Sequence, residues 1–498
     1  MTISILILLI FLIAAALMFL RKLPAILALP LMAIAIVAVE IAAGRLTFDD
    51  LTRAVMADGA IRLADPIIIS MFGGMLSVLM QKTGVAESFV RRGAELSGDN
   101  PLVVASVMFA MITLLFTTIG GLGAVIMVGT IVLPILASIG VREYISGGIV
   151  LFGISCGGLL NAGNWVVYKT VLGLESSPVS SYAVSMFAVV AAAALLFLTT
   201  ELWRTRVIRP RPRQIVCGLA LLAAAALLAA GVRLLFAGIA PGTLSKAVRW
   251  AFAGGGAALL ATMLADLFRR GPGAEAPAVK WYAYLIPVVP LLLILVFDMP
   301  FVPAFMTGLA YGVLATCRRG MVNMTSRSII EGSASVVPAI VLMIGIGMLL
   351  SAILGPTKTG PGKYWYDARL AAGAALDWPV LTDMKPLLGA IVPGSRAAYV
   401  LIFTALAPLA LYRGPLNVWG LGYGVGGILL ATGVPAGAVM GILMSLGTIQ
   451  GVSDPTNTAN VWVANEVRLD VTTLMWRTLP YAWAAAVAGL IIAAARFF

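Results

Sequence analysis

The chain contains 498 residues, of which 61% are hydrophobic and only 11% are charged, and its net charge is +12. A soluble globular protein is about half apolar and about a quarter charged. Apolar runs of about 20 residues, each long enough to cross a bilayer as a helix, recur along the whole chain. These features exclude a soluble protein and predict an all-α polytopic membrane protein with about 11 to 14 membrane segments.

The predicted membrane segments begin with a retained first helix, because residues 1–20 contain neither a basic residue nor a small-residue cleavage site. The segments cover approximately 1–20, 24–43, 60–81, 100–140, 145–164, 178–202, 215–238, 248–268, 281–297, 301–317, 334–354, 384–412, 416–433, 436–450 and 471–495. Two of them, 100–140 and 384–412, are interrupted. The basic residues lie mostly in short loops, which is typical of the positive-inside rule and not of nucleic-acid binding. The predicted cytoplasmic loops contain Arg21, Lys22, Lys82, Arg91, Arg92, the cluster at 204–213, Arg269, Arg270, Arg318 and Arg319.

The absence of histidine excludes several kinds of reactive site. Imidazole–zinc sites and Ser–His or Cys–His nucleophile pairs all need that residue. Cys156, Cys217 and Cys317 are far apart and offer no CxxC spacing. We therefore predict no catalytic residue, no metal site, no cofactor and no enzymatic activity.

Three blocks of the first half of the chain recur in the same order in the second half. The aligned pairs are 58–74 with 331–347, 120–140 with 394–414, and 161–167 with 457–463. Shared glycine, proline and asparagine positions favour a true repeat over a chance match of Ala- and Leu-rich sequence. The basic loops orient segments 60–81 and 334–354 in opposite directions, which predicts inverted-topology repeats with broken helices.

The repeat predicts three parts of the chain. These are a first inverted repeat at 1–203, a basic linker with an inserted helix pair at 204–278, and a second inverted repeat at 279–498. The second repeat holds about 20 additional residues, which the alignment places around 415–435. This leaves the topology of 416–450 and the side of the C-terminal end open.

Glycine-rich stretches interrupt two predicted segments, at Gly120–Gly123 and at 393–396. A half-helix that follows such a break presents free N–H groups and a positive end, which attract anions. Close helix packing is the alternative role for these glycines. The residues predicted to bind substrate here are Gly121, Gly123, Gly394, Ser395 and Arg396. A charge such as Arg396 within a membrane segment is expected to bind substrate or to pair with a buried acid such as Asp65.

Asparagine-rich stretches at 161–164 and 451–460 are predicted to lie at membrane depth, although an outer turn is the alternative for the second. Amide and hydroxyl oxygens suit a monovalent cation, and their donors suit a carboxylate. The predicted substrate-binding residues are Asn161, Asn164, Thr456, Asn457 and Asn460. The predicted ligands of a coupling ion, Na⁺ or H⁺, are Ser453, Asp454, Asn457 and Asn161.

The duplicated block Gly-Gly-Leu-Gly-Ala with a downstream proline, together with the Asn/Thr-rich tips, resembles the ion transporter superfamily. Within it, the gluconate permease, anaerobic dicarboxylate carrier and citrate carrier branches are similar over most of the chain except 204–278. The resemblance implies a homodimer in which a mobile transport domain moves like an elevator against a scaffold. It places the tips of re-entrant hairpins at Asn161–Asn164 and Ser453–Asn460. It also implies symport of a small organic anion with H⁺ or Na⁺.

The sequence therefore predicts a multi-pass secondary carrier of a carboxylate, such as a di- or tricarboxylate or a sugar acid, in a bacterial inner membrane. Its expected partners are the lipid bilayer, the anion and a second copy of the chain, without nucleic acid. Two alternatives remain open at this point. One is a cation/proton antiporter in which Asp65 and Asp454 titrate, and the other is the large permease subunit of a binding-protein-dependent carrier.

Overall fold

The computed structural model describes residues 2–20, 22–98, 100–208, 244–268, 279–297, 299–318, 320–357, 362–371, 373, 376–388 and 392–498. These residues form helices and loops, and no strand occurs among them. Seven helical stretches within these ranges are long and apolar enough to cross a membrane. The predicted segment 215–238, most of the basic cluster at 204–213, Cys217, Arg269, Arg270 and Arg319 lie outside the described residues.

The first half of the chain contains ten α-helices. Their bounds are α1 Thr2–Phe19, α2 Ala25–Ala42, α3 Asp58–Ile61, α4 Ala64–Lys82, α5 Val85–Ser97, α6 Pro101–Phe116, α7 Leu122–Ser138, α8 Glu143–Leu160, α9 Ala162–Leu172 and α10 Ser176–Arg204. A π-helical stretch, Asp50–Ala57, leads into α3.

Eleven further α-helices are described after residue 243. Their bounds are α11 Leu244–Phe268, α12 Val289–Phe297, α13 Phe301–Ala315, α14 Met321–Leu354, α15 Lys363–Ala371, α16 Pro379–Leu388, α17 Arg396–Ala405, α18 Tyr423–Ala431, α19 Ala436–Ser453, α20 Thr458–Glu466 and α21 Val471–Phe497. Shorter 3₁₀ and π turns precede α12, follow α17 and lead into α18, at Trp281–Leu285, Ala407–Ala410 and Val418–Gly422.

Two long helical stretches, Asp50–Lys82 and α14, cross each other in opposite directions through glycines. A Cβ atom on Gly59 would lie 2.8 Å from the Cα of Met348, next to Gly347, and a Cβ on Gly74 would collide with the carbonyl oxygen of Gly332. Only residues without a side chain allow this approach of the two backbones. Adding 273 to the numbers of Gly59 and Gly74 gives Gly332 and Gly347 (332 − 59 and 347 − 74). The two contacts are therefore related to each other by one shift along the sequence. The crossing therefore has the pseudo-two-fold symmetry predicted for blocks 58–74 and 331–347.

A second shift relates the later parts of the two repeats. Gly140 and Gly433 both have positive φ, +80° and +97°, and both stand three residues before an 18-residue helix. The next residue donates its N–H five residues back in each copy, from Val141 to Leu136 and from Val434 to Leu429, at 3.1 Å. The shift is 293 residues (433 − 140).

This shift corrects the predicted alignment of 120–140 with 394–414, which is wrong by 19 residues (293 against 274). Sequence rich in Gly, Ala and Leu fits several registers, whereas the left-handed glycine before α8 and α19 fixes one. The additional residues of the second repeat lie between the part related by a shift of 273 residues and the part related by a shift of 293. They are located around α15 and not around 415–435.

Helices α6 and α7 form a re-entrant hairpin, hairpin 1, with residues 117–121 at its tip. α6 runs parallel to α8, because a Cβ on Gly153 would lie 2.7 Å from Ile112 and one on Gly157 would lie 2.9 Å from the backbone of Phe116. Only four residues separate the end of α7 from the start of α8. The chain therefore leaves hairpin 1 on the membrane face from which it entered.

Helices α17 and α18 form the equivalent hairpin 2, with residues 411–417 at its tip. The hydroxyl of Tyr399 donates to the carbonyl of Ala438 near the start of α19 (2.7 Å), whereas the N–H of Val418 donates to Gln450 near its end (2.8 Å). α18 returns along α19, and only four residues separate the end of α18 from the start of α19. Segment 416–433 is thus one arm of a re-entrant hairpin and does not cross the membrane.

The helices that follow each hairpin cross the membrane with one interruption. Tyr144 of α8 donates to Glu201 of α10 (2.9 Å), and the rings of Phe152 and Phe197 lie 5.5 Å apart, so α10 runs antiparallel to α8. The longer α10 extends past the end of α8, and α9 continues the crossing beyond a break at Asn161. We call α8 and α9 broken helix 1.

Broken helix 2 consists of α19 and α20, interrupted at 454–457. It has the same relation to α21, because Gly437 lies against the ring of Phe497 and Ser453 is hydrogen-bonded to Thr478 (2.8 Å). The Asn-rich stretches therefore interrupt crossing helices and are not hairpin tips, whereas 117–121 is a hairpin tip. Asparagine and glycine indicate non-helical backbone, but they do not indicate whether the chain reverses there.

The contacts also place the helix ends on two faces. Arg318 donates to the carbonyl of Lys82 (3.0 Å), so both lie on one face, which the positive-inside rule makes cytoplasmic. Arg496 of α21 lies 3.4 Å from the carbonyl of Ser181, at the end of α10 opposite to Arg204. The C-terminal end of α21 therefore lies on the outer face. The boundaries 1–203, 204–278 and 279–498 stay a prediction, since much of the middle part lies outside the described residues.

Arg45 joins the two repeats at the outer face. Its Nη1 donates to Asp383 Oδ1 of α16 (2.9 Å), and its Nη2 contacts both Asp383 and Glu40 of α2, the latter at 2.7 Å. The hydrogen bonds from Arg45 hold the pKa of Asp383 below its usual value.

We expect Gly74→Ala to lower the free energy of unfolding by about 1–3 kcal/mol, because the added methyl forces the two crossing helices apart. Gly255→Ala in α11, where a Cβ meets no atom within 4 Å, is the matched control and is expected to be neutral or slightly stabilising. Thermal unfolding in detergent measures both. Equal effects of the two variants would contradict the close crossing.

We expect Asp383→Asn to lower the Tm near pH 7 and to lose this effect below about pH 4. The pKa of Asp383 is lower in the folded than in the unfolded state. The ion pair therefore stabilises the fold fully when the pH is above the unfolded-state pKa, and this stabilisation is lost as the pH falls through the folded-state pKa. Asp367→Asn, which removes an exposed pair with Lys363, serves as the control. A Tm difference for Asp383→Asn that is independent of pH would argue against the charged pair.

Candidate functional site

Asn161 ties the break in broken helix 1 to the tip of hairpin 1. Its Oδ1 accepts from the N–H of Gly163 (2.9 Å) and caps α9, while its Nδ2 donates to the carbonyl of Phe116 at the end of α6 (3.2 Å). Asn164 donates to the carbonyl of Gly158, six residues back (2.7 Å). Two amide side chains thus satisfy backbone groups that the break leaves without helical partners.

The break in broken helix 2 repeats this pattern. Asn457 accepts from the N–H of Ala459 (3.0 Å) and caps α20. Asn460 donates to the carbonyl of Asp454, again six residues back (3.0 Å). The predicted pairing of 161–167 with 457–463 is therefore confirmed by equivalent hydrogen bonds.

Asp454 ties the second break to the tip of hairpin 2. Its carboxylate, which is 1% exposed, accepts from the N–H of Tyr412 (2.9 Å), the N–H and hydroxyl of Thr456 (2.9 and 2.7 Å) and the Nδ2 of Asn417 (2.9 Å). No lysine or arginine in the described part of the chain forms an ion pair with it. The negative charge is thus held by four hydrogen bonds.

Two further oxygens belong to asparagines that are hydrogen-bonded to Asp454. Asn417 donates its amide to the carboxylate of Asp454 and Asn460 donates its amide to the backbone carbonyl of Asp454, and the Oδ1 atoms of both asparagines are buried and accept no hydrogen bond within the described residues. Uncharged oxygens around a buried carboxylate are typical ligands of a hard cation. This oxygen cluster, comprising Asp454, Asn417 and Asn460, contains two predicted site residues and adds Asn417.

The broken helices approach each other near their interruptions. A Cβ on Gly451 would lie 3.3 Å from the hydroxyl of Ser155, so α8 and α19 cross there. Asp454 follows three residues later and Asn161 six residues later along its own helix, about 5 and 9 Å away. Both breaks therefore lie close to the crossing point.

Each hairpin also packs against the other repeat. The rings of Tyr168 in α9 and Tyr423 in α18 lie 6.0 Å apart, and Gly129 in α7 lies against the ring of Trp462 in α20. The hairpin tips and the breaks of both repeats consequently belong to one packed unit.

The tip of hairpin 1 presents backbone without large side chains. Gly121 has φ +83°, which glycine adopts without strain, and Gly121 and Gly123 are exposed. The first N–H groups of α7 lie here, as predicted from the glycine pattern. Thr118 is 2% exposed, and its hydroxyl has no hydrogen-bond partner among the described residues.

Arg396 does not lie at the second break. Ser395 caps α17 by accepting from the N–H of Ala398 (3.2 Å), and Gly394, Ser395 and Arg396 are exposed. One turn later Tyr399 contacts the outer end of α19, about 24 Å along that helix from Asp454. Under the 293-residue shift this stretch corresponds to the start of α6, not to its tip.

The other predicted site residues lie at or beside the second break. Thr456 bonds to Asp454, and Asn457 donates to the carbonyl of Gln450 (3.4 Å) in addition to capping α20. Ser453 faces Thr478 of α21 and does not join the oxygen cluster. Asp65 is exposed, at the first turn of α4.

Arg413, at the tip of hairpin 2, is not among the predicted site residues. Its side chain is half-buried and forms no ion pair or hydrogen bond with any residue that the structure describes. The Leu-Tyr-Arg-Gly-Pro sequence at 411–415 signals a turn between apolar stretches, but the shifted alignment hid its relation to Gly120.

A cavity of about 710 Å³ lies at the cytoplasmic face between α5 and α7. Charged side chains of α5, among them Glu87 and Arg91, form one wall, and apolar side chains of α7 such as Ile131 form the other. Helix α7 of hairpin 1 therefore borders a cavity at the membrane face where Lys82 and Arg318 lie.

Comparison with family profiles and with curated proteins gives no match. Among solved structures, the chain is similar to the YdaH transporter of Alcanivorax borkumensis, with 15% sequence identity and a TM-score of 0.42. The similarity covers 90% of this chain and 86% of the other. At this level it supports no assignment of function, which rests below on the residues of this chain.

We expect Asp454→Ala to lower the free energy of unfolding by about 3 kcal/mol, because it leaves buried donors without an acceptor. Asp470→Ala is the matched control, since Asp470 accepts from the N–H and hydroxyl of Thr472 in the same local geometry but on the surface. Thermal unfolding in detergent should show a much smaller loss for the control. Equal losses would mean that Asp454 acts only as a local cap.

Proposed function

We propose that the protein is a secondary active transporter that carries a small organic anion, a carboxylate, across a bacterial inner membrane together with Na⁺ or H⁺. The observation that supports this most is the duplicated contact between hairpin and broken helix, through Asn161 in one repeat and Asp454 in the other. Lipid cannot satisfy non-helical backbone, so such stretches persist only inside protein or beside a polar cavity. Inverted repeats that bring them together are a transporter architecture.

The groups around the two tips suit an anion and a cation together. The N–H groups at the start of α7, near Gly121 and Gly123, and the amides of Asn161 and Asn164 are donors that suit the oxygen atoms of an organic acid. The oxygen cluster is suited to the coupling cation, since its carboxylate has no cationic partner in the described part of the chain and two amide oxygens are free. A Na⁺ ion bound there would add the positive charge that this buried site lacks.

The remaining parts of the proposal follow from the family resemblance. They are a homodimer and an elevator-like movement, and the movement agrees with the packing of both hairpins and both broken helices into one unit. We propose a carrier and not an enzyme, since the unwound stretches contain no nucleophile–base pair.

Uptake of organic acids into proteoliposomes under an inward Na⁺ gradient, an inward H⁺ gradient or no gradient tests this function. We expect one class of acid to accumulate with one of the two cations. Asn417→Ala and Asn460→Ala should raise the apparent KM for that cation about tenfold, because each removes one oxygen ligand. Asn465→Ala, an exposed asparagine of α20, is the matched control and should leave it unchanged.

A cation/proton antiporter is the second candidate. The oxygen cluster favours this candidate, since a cation can bind to the cluster without any organic substrate. Proton release from proteoliposomes on addition of Na⁺ or Li⁺ without any acid, combined with no acid uptake under any gradient, would establish the antiporter and refute the anion carrier.

A further inference from the structure

The two hairpin tips differ in charge at one equivalent position. Under the shift of 293 residues, Arg413 of hairpin 2 corresponds to Gly120 of hairpin 1 (413 − 120). The tip of hairpin 1 contains no charged residue, whereas that of hairpin 2 contains a guanidinium. The repeats are thus symmetric in backbone and asymmetric in charge.

The backbone around Arg413 is held in an unusual conformation. Tyr412 and Arg413 both have φ +55°, a left-handed region that residues with a side chain rarely occupy. The hydrogen bonds from the N–H of Tyr412 and the Nδ2 of Asn417 to Asp454 fix the tip on either side of Arg413. Strain of this kind persists only where surrounding contacts enforce it, and it is common at ligand sites.

The guanidinium of Arg413 lacks a counter-charge within the described chain. It is half-buried, and the adjacent Asp454 is engaged by four other donors and forms no ion pair with it. A charge at membrane depth is costly unless an opposite charge compensates it. The planar fork of a guanidinium matches the two oxygens of a carboxylate.

The count of charges limits the substrate. The unwound stretches 117–121, 161, 411–417 and 454–457 contain one cation, Arg413, and one anion, Asp454. Only one carboxylate of a substrate can therefore meet a guanidinium. The polar side chains at the tip of hairpin 1 and at its break are hydroxyls and amides, which hydrogen-bond with uncharged groups.

We propose that Arg413 binds the carboxylate of the transported anion, and that this anion is a monocarboxylate whose remaining polar groups are uncharged. This inference rests on the proposed function and narrows its substrate class. A second carboxylate at the opposite tip would meet only backbone N–H groups and amides, without a compensating full charge.

Reconstituted wild type and the variants Arg413→Gln, Arg413→Lys and Arg468→Gln test the inference. A panel of hydroxylated monocarboxylates, their amides and dicarboxylates of similar size is tested for uptake. Arg468 is the matched control, because it also has a positive φ, +56°, but is exposed in the loop between α20 and α21. Size-exclusion elution and Tm verify that each variant is folded.

We expect the wild type to take up a monocarboxylate in preference to the dicarboxylates and not to take up its amide. Arg413→Gln should raise the KM for the acid about 10- to 100-fold and abolish its stabilisation of the protein in a thermal-shift assay. Arg413→Lys should raise the KM for the acid less, since lysine keeps the positive charge but lacks the planar guanidinium. Arg468→Gln should behave as wild type.

An unchanged KM in Arg413→Gln, or uptake of the amide equal to that of the acid, overturns the role of Arg413 while the carrier function stands. Preference for a dicarboxylate overturns the proposed substrate class. Failure of the wild type to take up any acid overturns the proposed function and this inference together.

Discussion

The structure depends on one constraint, that backbone N–H and C=O groups inside a bilayer must find partners within the protein. Uninterrupted helices such as α1 and α10 meet it by themselves. The broken helices do not, and Asn161 and Asp454 supply the missing partners from the chain itself. Because each of these side chains also bonds to a hairpin, satisfying the break brings the hairpin tip to it.

Much of this arrangement is readable from composition and pattern. Hydropathy predicts the helices, the loop charges predict their direction, and the asparagine blocks predict the equivalence of the two breaks, since a capping asparagine has a fixed offset from the N–H that it accepts. Gly59 and Gly332 are equivalent in the aligned blocks 58–74 and 331–347, and both lie at the central crossing, where no other residue permits such a backbone approach.

The predictions were wrong where a residue type constrains backbone shape but not position in space. Gly120 and Gly394 both precede helices, so sequence alone aligned them, although one lies at a tip and the other at an entrance. The direction of the chain after Asn161 depends on how α10 packs along α8, through contacts such as Tyr144 with Glu201 that are far apart in sequence. The same misalignment paired Arg396 with the tip of hairpin 1, whereas the shift of 293 residues pairs that tip with Arg413.

The second break contains three residues, 454–456, that have no equivalent in the first. With this insertion, capping the next half-helix and holding the hairpin are the roles of two different side chains. In the first repeat one side chain, Asn161, both caps the next half-helix and holds the hairpin, so it cannot change without disturbing both. In the second repeat Asn457 caps, and Asp454 holds the hairpin. The position that holds hairpin 2 therefore has no part in capping α20. It carries an acidic side chain, whereas the position that holds hairpin 1 carries the neutral amide of Asn161.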